Sequence, residues 1–114
     1  MVSFPKRGEI YWVDLNPTLG SEQRGLRPAL VVQNDIGNRY SPTTIVVPIS
    51  SRIASSSYLV NVRLPEGLVP KPSVAKCGQV RTIDKARLRG DAIAALDAES
   101  MTRVEDALRV SLDL

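Results

Sequence analysis

Eight consecutive residues, Thr43-Thr44-Ile45-Val46-Val47-Pro48-Ile49-Ser50, restrict the possible fold of this chain most. The apolar residues in the run do not alternate with polar ones, so as a strand it is covered on both faces. Pro48 has no amide proton for a sheet ladder and marks a bulge or an edge near the strand's end, so Ser50 emerges where the strand leaves the core. The chain has 114 residues, 43% of them hydrophobic, which supports one core and a single domain over residues 1–114. Both covering layers must therefore come from the rest of the same short chain.

Those layers are read mainly as further strands. Glu9-Ile10-Tyr11-Trp12-Val13-Asp14 is β-branched and aromatic, with Ile10 and Trp12 on one face and Tyr11 and Val13 on the other. Asn16-Pro17 turns the chain out of it, and Pro28 to Gln33 forms the second strand, with proline at its first position. Residues 34–42 read as a turn-rich connection, and the serine-rich stretch 51–57 as a mobile loop. Residues 58–64 alternate as a fourth strand, 65–72 form a proline-spaced loop, and 73–80 a fifth strand. Thr82 to Leu88 is read as one helical turn begun at Thr82 or Asp84, and Asp91 to Leu96 as a short final strand. Asp97 then caps a terminal helix whose Met101, Val104, Ala107, Leu108 and Leu112 fall at helical spacing. Five or six short strands and one helix predict a mainly β, α+β domain built as a small barrel or half-open roll.

Composition excludes several chemistries. With one cysteine and no histidine there is no internal disulfide, no cysteine/histidine zinc pattern and no histidine-based triad. Cys77, in an apolar strand, reads as a small core hydrophobe. Residues 1–7 lack the apolar core of a signal peptide and no run approaches membrane-spanning length, so a cytoplasmic protein with no membrane partner is expected. The net charge is +3, unevenly spread. Thirteen Lys and Arg face six Asp and Glu in residues 1–90, a net +7, whereas two face six in residues 91–114, a net −4. A basic body of this kind suits a polyanion, either nucleic acid or an acidic peptide.

The loop Gly20-Ser21-Glu22-Gln23-Arg24-Gly25-Leu26-Arg27-Pro28 concentrates an acid, an amide and two guanidinium groups before the second strand. Its glycines resemble a phosphate loop only superficially, since no Gly-Lys-Ser/Thr follows and a strand rather than a helix comes next. Pro28 biases Arg27 toward extended geometry, which holds that side chain at a firm strand end. Arg24, Arg27, Arg39, Arg52, Lys76 and Arg81 all fall in loops or at strand ends, where a small barrel brings side chains close together.

Three segments carry a family resemblance: Arg7 to Pro17, Gly20 to Asp35, and Gln79-Val80-Arg81-Thr82-Ile83-Asp84-Lys85. In this order they resemble the MazF/PemK (Kid) toxin endoribonucleases, and the similarity runs from about Lys6 to the C-terminus. The resemblance implies an SH3-like, MazF/CcdB-like barrel of up to seven short strands with a C-terminal helix. It also implies a homodimer that cuts single-stranded RNA at short sequences without metal or other cofactor. A MazE-like antitoxin with an acidic, disordered C-terminal tail would be its partner. Residue by residue, Arg27 matches the family's catalytic arginine, and Ser50 stands where close relatives place a catalytic threonine. Glu22 and Gln23 match the loop bordering the RNA groove, and Gln79 and Arg81 the Gln-x-Arg-Thr segment nearby. Lys76 occupies the place of a PemK catalytic arginine, but Gly78 falls where that branch has its aspartate, so the PemK acid is unavailable here.

The catalytic set expected from these matches is Arg27, Ser50 and Glu22, with Gln23, Arg24, Arg52, Lys76, Gln79 and Arg81 on the RNA. Metal-free RNA cleavage uses the substrate's 2′-hydroxyl and leaves 2′,3′-cyclic phosphate and 5′-hydroxyl ends. Arg27 suits stabilisation of the phosphorane, because a guanidinium offers fixed donors to phosphate oxygens and rarely gives up a proton. Ser50 would donate to the phosphate, and Glu22 is the candidate base. Loops 34–41 and 51–58 are the expected source of base choice. Two other readings share the fold: a CcdB-like gyrase-binding toxin, which in its own family needs a C-terminal Trp-Gly-Ile where this chain has Ser111-Leu112-Asp113-Leu114, and a non-catalytic RNA-binding barrel.

Overall fold

The computed structural model describes residues 4–53 and 59–114. Seven strands and two α-helices follow one another as β1 (Glu9–Asp14), β2 (Leu26–Val31), α1 (Asp35–Tyr40), β3 (Thr43–Ser50), β4 (Asn61–Arg63), β5 (Val74–Lys76), β6 (Arg81–Asp84), β7 (Leu88–Ala95) and α2 (Ala98–Leu112). The pairings are antiparallel, in the order β4-β5-β3-β2-β1-β7, with β6 against β3. Among the described residues this path does not close on itself, so the mainly β fold with a terminal helix is realised as the half-open form.

β3 is covered on both faces as its composition requires. Val47 and Ile49 join Ile10, Leu30, Ala75, Met101 and Val104 in one core, beneath α2. Val46 joins Tyr11, Val13, Ala29, Val31 and Ile83 in a second core on the other face. Pro48 sits where β3 changes neighbour: residues 43–46 pair with β6, whereas Ile49 and Ser50 pair with β5. A residue without an amide proton is tolerated at such a junction.

Several elements differ from the sequence reading. Residues 35–40 form a helix rather than an irregular connection. The Asn34 side chain caps it by accepting from Gly37 N at 2.8 Å, and buried Asn38 ties it to the sheet through Thr44 Oγ1 (2.7 Å), Gln33 Nε2 and Gln33 O (3.0 Å each). A six-residue helix is too short to show periodicity, and its central glycine argues against one. That glycine is required by packing, since a Cβ on Gly37 would lie 3.0 Å from the Gln33 side chain.

The segment expected as a helical turn from Thr82 is strand β6, and a 3₁₀ turn follows over Lys85–Arg87, N-capped by Asp84. β7 begins at Leu88 rather than Asp91, because a register shift opposite Ile10 to Trp12 absorbs extra residues around Gly90 (φ 70°). The fourth and fifth strands shrink to three residues each. Most of the serine-rich loop, and Tyr58 at the expected start of the fourth strand, lie outside the described residues. α2 is capped by Asp97 and buries Met101, Val104 and Ala107, but Leu112 is exposed, so the apolar stripe ends before the last turn. No helix among the described residues is long and apolar enough to cross a membrane.

Candidate active site

Strand register assembles the site. Val13 pairs with Arg27, so Arg27 lies inside β2 rather than in the loop before it. Ala29 pairs with Pro48, so Arg27 and Ser50 each follow two residues beyond the same end of the β2–β3 ladder, and Ser50 pairs with Val74 of β5. Side chains alternate along strands, so Arg27 shares the face of Ala29, and Ser50 and Pro48 that of Val46. The second core therefore ends in a polar rim carrying Arg27 and Ser50, with Lys76 at the end of β5 beside it.

Above that rim runs the segment from Leu15 to Gly25. Leu15 N donates to Gly25 O (3.0 Å) and Gly25 N to Asn16 Oδ1 (3.2 Å), which pinches the loop at its base. The guanidinium of Arg87 donates to Asp14 O (3.1 Å) and to Asn16 O, and that of Arg81 to Leu15 O. Arg81, expected on RNA, thus has one arm committed to propping the loop. The Glu22 carboxylate accepts from Leu19 N while Glu22 N donates to Leu19 O (3.1 Å), so the candidate base also closes a turn of its own loop.

Gln23 is the hinge of the arrangement. Its carboxamide lies between two cations, with one terminal atom 2.7 Å from Arg27 Nε and 3.1 and 3.3 Å from the two terminal nitrogens, and the other 3.4 Å from Lys76 Nζ. Several guanidinium N–H groups outweigh one long ammonium contact, so the amide oxygen belongs on the Arg27 side. Arg27 Nε also donates to Arg24 O at 2.6 Å. Gln23 N donates to Gln79 Oε1 at 2.8 Å.

Two clefts flank this contact. One, of about 370 Å³, is lined by Leu15, Glu22, Gln23, Pro48, Gln79 and Arg81. The other, of about 190 Å³, is lined by Trp12, Arg27, Pro28, Ile49, Val69 and Lys71 among others. The wall between them therefore carries the Gln23 and Arg27 side chains. An extended polyanion laid across the wall would meet the guanidinium with polar groups on one side and an indole on the other.

The structure thus brings together Arg27, Gln23, Lys76 and Gln79, with Ser50 at the neighbouring end of β3. Ser50 is only 1% exposed, and its Oγ accepts from Arg52 N (3.1 Å). A hydroxyl that accepts still has its own proton to donate. Arg52 and Arg24 are exposed at the periphery, Arg24 reaching Gly20 O at 3.4 Å. Among the described residues no group of three acidic or cysteine side chains is arranged to hold a metal. Cys77 is fully buried, and desolvation pushes its thiol up to about 11, as befits a core residue. Gly78 leaves little room for an acid, because a Cβ there would lie 3.1 Å from Val60 Cγ2. Asn16 and Arg87 were not legible as site residues; Arg87 meets Asn16 across a separation of 71 residues, and no local pattern announces such a contact.

Residues 6–112 match the family described as PemK-like, MazF-like toxin of type II toxin-antitoxin system. Endoribonuclease EndoA of Bacillus subtilis is 48% identical over 111 residues, covering 96% of this chain and 95% of its own. The crystal structure of MazF from Deinococcus radiodurans superposes with a TM-score of 0.87 at 27% identity, covering 99% of this chain and all of that one. A MazE–MazF structure from the same organism matches with a TM-score of 0.80 at 27% identity, covering 99% of each chain.

Proposed function

This chain belongs to the PemK-like, MazF-like toxins of type II toxin–antitoxin systems, and we infer that it acts as an endoribonuclease on single-stranded RNA. The observation that carries the catalytic part is the Arg27 guanidinium, gripped by the Gln23 carboxamide and the Arg24 carbonyl, at a strand end beside Lys76. A cation so held is oriented before substrate arrives, which is the condition for stabilising charge that develops only in the transition state.

In the proposed reaction the substrate's 2′-hydroxyl loses its proton and attacks the adjacent phosphorus, the 5′-oxygen leaves and takes up a proton from water to become a 5′-hydroxyl, and a 2′,3′-cyclic phosphate remains. Arg27 neutralises the phosphorane, and Ser50 donates a hydrogen bond to a phosphate oxygen from the end of β3. Glu22 is the proposed base for the 2′ proton; a carboxylate has about four acceptor sites, so its bond to Leu19 N leaves room for another. Gln23, Arg24, Arg52, Lys76 and Arg81 would meet the RNA along the two clefts. No step in this scheme needs a metal or cofactor.

The regulatory partner is read as a MazE-like antitoxin with an acidic tail, supported by the net +7 of residues 1–90 and by the MazE–MazF assembly of the Deinococcus relative. A homodimer acting in the cytoplasm completes the reading. The reaction class is tested with an RNA carrying a single 2′-deoxynucleotide on the 5′ side of a mapped cut. Cleavage is expected to stop at that site alone. Continued cutting there would exclude the 2′-hydroxyl as nucleophile, and an RNA bound but never cut would favour the non-catalytic barrel.

A further inference from the structure

We propose that Gln79 is a positioning residue, acting on Arg27 through Gln23. The proposal rests on the nuclease reading above but concerns how its central cation is held. Gln79, in the turn after β5 and 56 residues away in sequence, accepts the Gln23 backbone N–H at 2.8 Å. Gln23 is the residue whose carboxamide contacts Arg27 at 2.7 to 3.3 Å. The Gln79 backbone meanwhile donates to Lys76 O at 3.0 Å, closing the turn that follows β5. One residue therefore sets the spacing between the loop that holds Arg27 and the strand end that presents Lys76.

The base of this link is rigid. Cys77 N donates to Val60 O at 2.9 Å, Cys77 is fully buried, and Gly78 packs so closely on Val60 that a Cβ would stand 3.1 Å from it. The loop at the other end is mostly exposed and has two left-handed glycines, Gly20 (φ 54°) and Gly25 (φ 83°). The base of the loop is held by Arg81 and Arg87, and its Gln23 segment is tied to the rigid turn through Gln79, so the place of Gln23 follows from that tie. The Gln79 oxygen is the group used, which makes the role one of acceptance.

The test compares Gln79→Leu, which removes the acceptor at similar volume, with Gln79→Glu, which keeps an acceptor in the same place. At saturating RNA, Gln79→Leu is expected to lose about tenfold or more in kcat, while its Kd for an RNA blocked by 2′-deoxy substitution changes less than about threefold. Gln79→Glu is expected to recover most of kcat, even if its added negative charge raises KM. A second readout needs no cleavage: the Nε–Hε NMR signal of Arg27 should shift in Gln79→Leu and return toward its original position in Gln79→Glu. If Gln79→Leu does not fold, Gln79→Asn, which withdraws the acceptor by one methylene, takes its place in both measurements. An unmoved Arg27 signal, or a weakened Kd with unchanged kcat, would overturn the proposal and make Gln79 an RNA contact. Wild-type protein that never cuts RNA would instead defeat the nuclease reading, while the Arg27 signal would still decide the positioning claim.

Discussion

Arg27 was legible because two local signals coincide on it: proline follows it, and an apolar strand begins there. Gln23 was legible only as part of the loop, since its place between Arg27 and Lys76 depends on the contact with Gln79, 56 residues away. Ser50 was placed at the strand exit as expected, but burial to 1% exposure makes it sensitive to volume as well as chemistry. Ser50→Ala is expected to lower cleavage by less than Arg27→Ala does. Ser50→Thr keeps the hydroxyl and should retain most activity; a folded but inactive Ser50→Thr protein would contradict hydroxyl equivalence. Cys77 gives an independent check on the core. With full burial and a thiol pushed up to about 11, it should resist a thiol reagent at pH 8 in the native protein and react at once in denaturant. Fast native reaction would mean that the turn after β5 is open.

At the scale of elements, α2 was read well because its cap and its stripe agree. Val104 is fully buried in the core beneath it, so Val104→Ala should destabilise by about 2 kcal/mol, measured by denaturant titration. The cap adds a pH dependence. Hydrogen bonds from the Ser100 side chain and backbone hold the Asp97 carboxyl below its ordinary value of 3.8. At Asp35 the Arg7 backbone N–H does the same. Each group is ionised more readily in the folded chain, so its contribution is complete above about pH 5 and is lost as pH falls from 3.8 through the lower folded value. Thermal melts between pH 2 and 7 should show this acid limb, and Asp97→Asn should flatten it while keeping the helix capped at neutral pH. α1 and β6 were misread for opposite reasons. α1 is held by a side-chain network around Asn38 that sequence periodicity does not register, and β6 exists because β3 offers it an edge.

Over the whole molecule, the unalternating run in β3 correctly implied a strand covered on both faces, but the single core expected from composition is divided by it into two clusters. The sequence left barrel and half-open roll as alternatives, and among the described residues the sheet stays open, because closure depends on strand lengths and register that emerge only when every pairing is known. The basic body has a direct consequence for binding. Affinity for a 2′-deoxy-blocked RNA should fall steeply between about 50 and 200 mM salt, since phosphate contacts release condensed counterions. Salt-independent binding would mean that the clefts hold the strand by stacking alone. The measurement that bears most directly on the whole account is cleavage of a long single-stranded RNA in excess EDTA by the wild-type protein and by Arg27→Ala, with the cut ends analysed. Discrete cuts ending in 2′,3′-cyclic phosphate, slowed about a hundredfold or more in a folded Arg27→Ala, are the predicted result. Equal cleavage by both proteins, or cleavage abolished by EDTA, would contradict it.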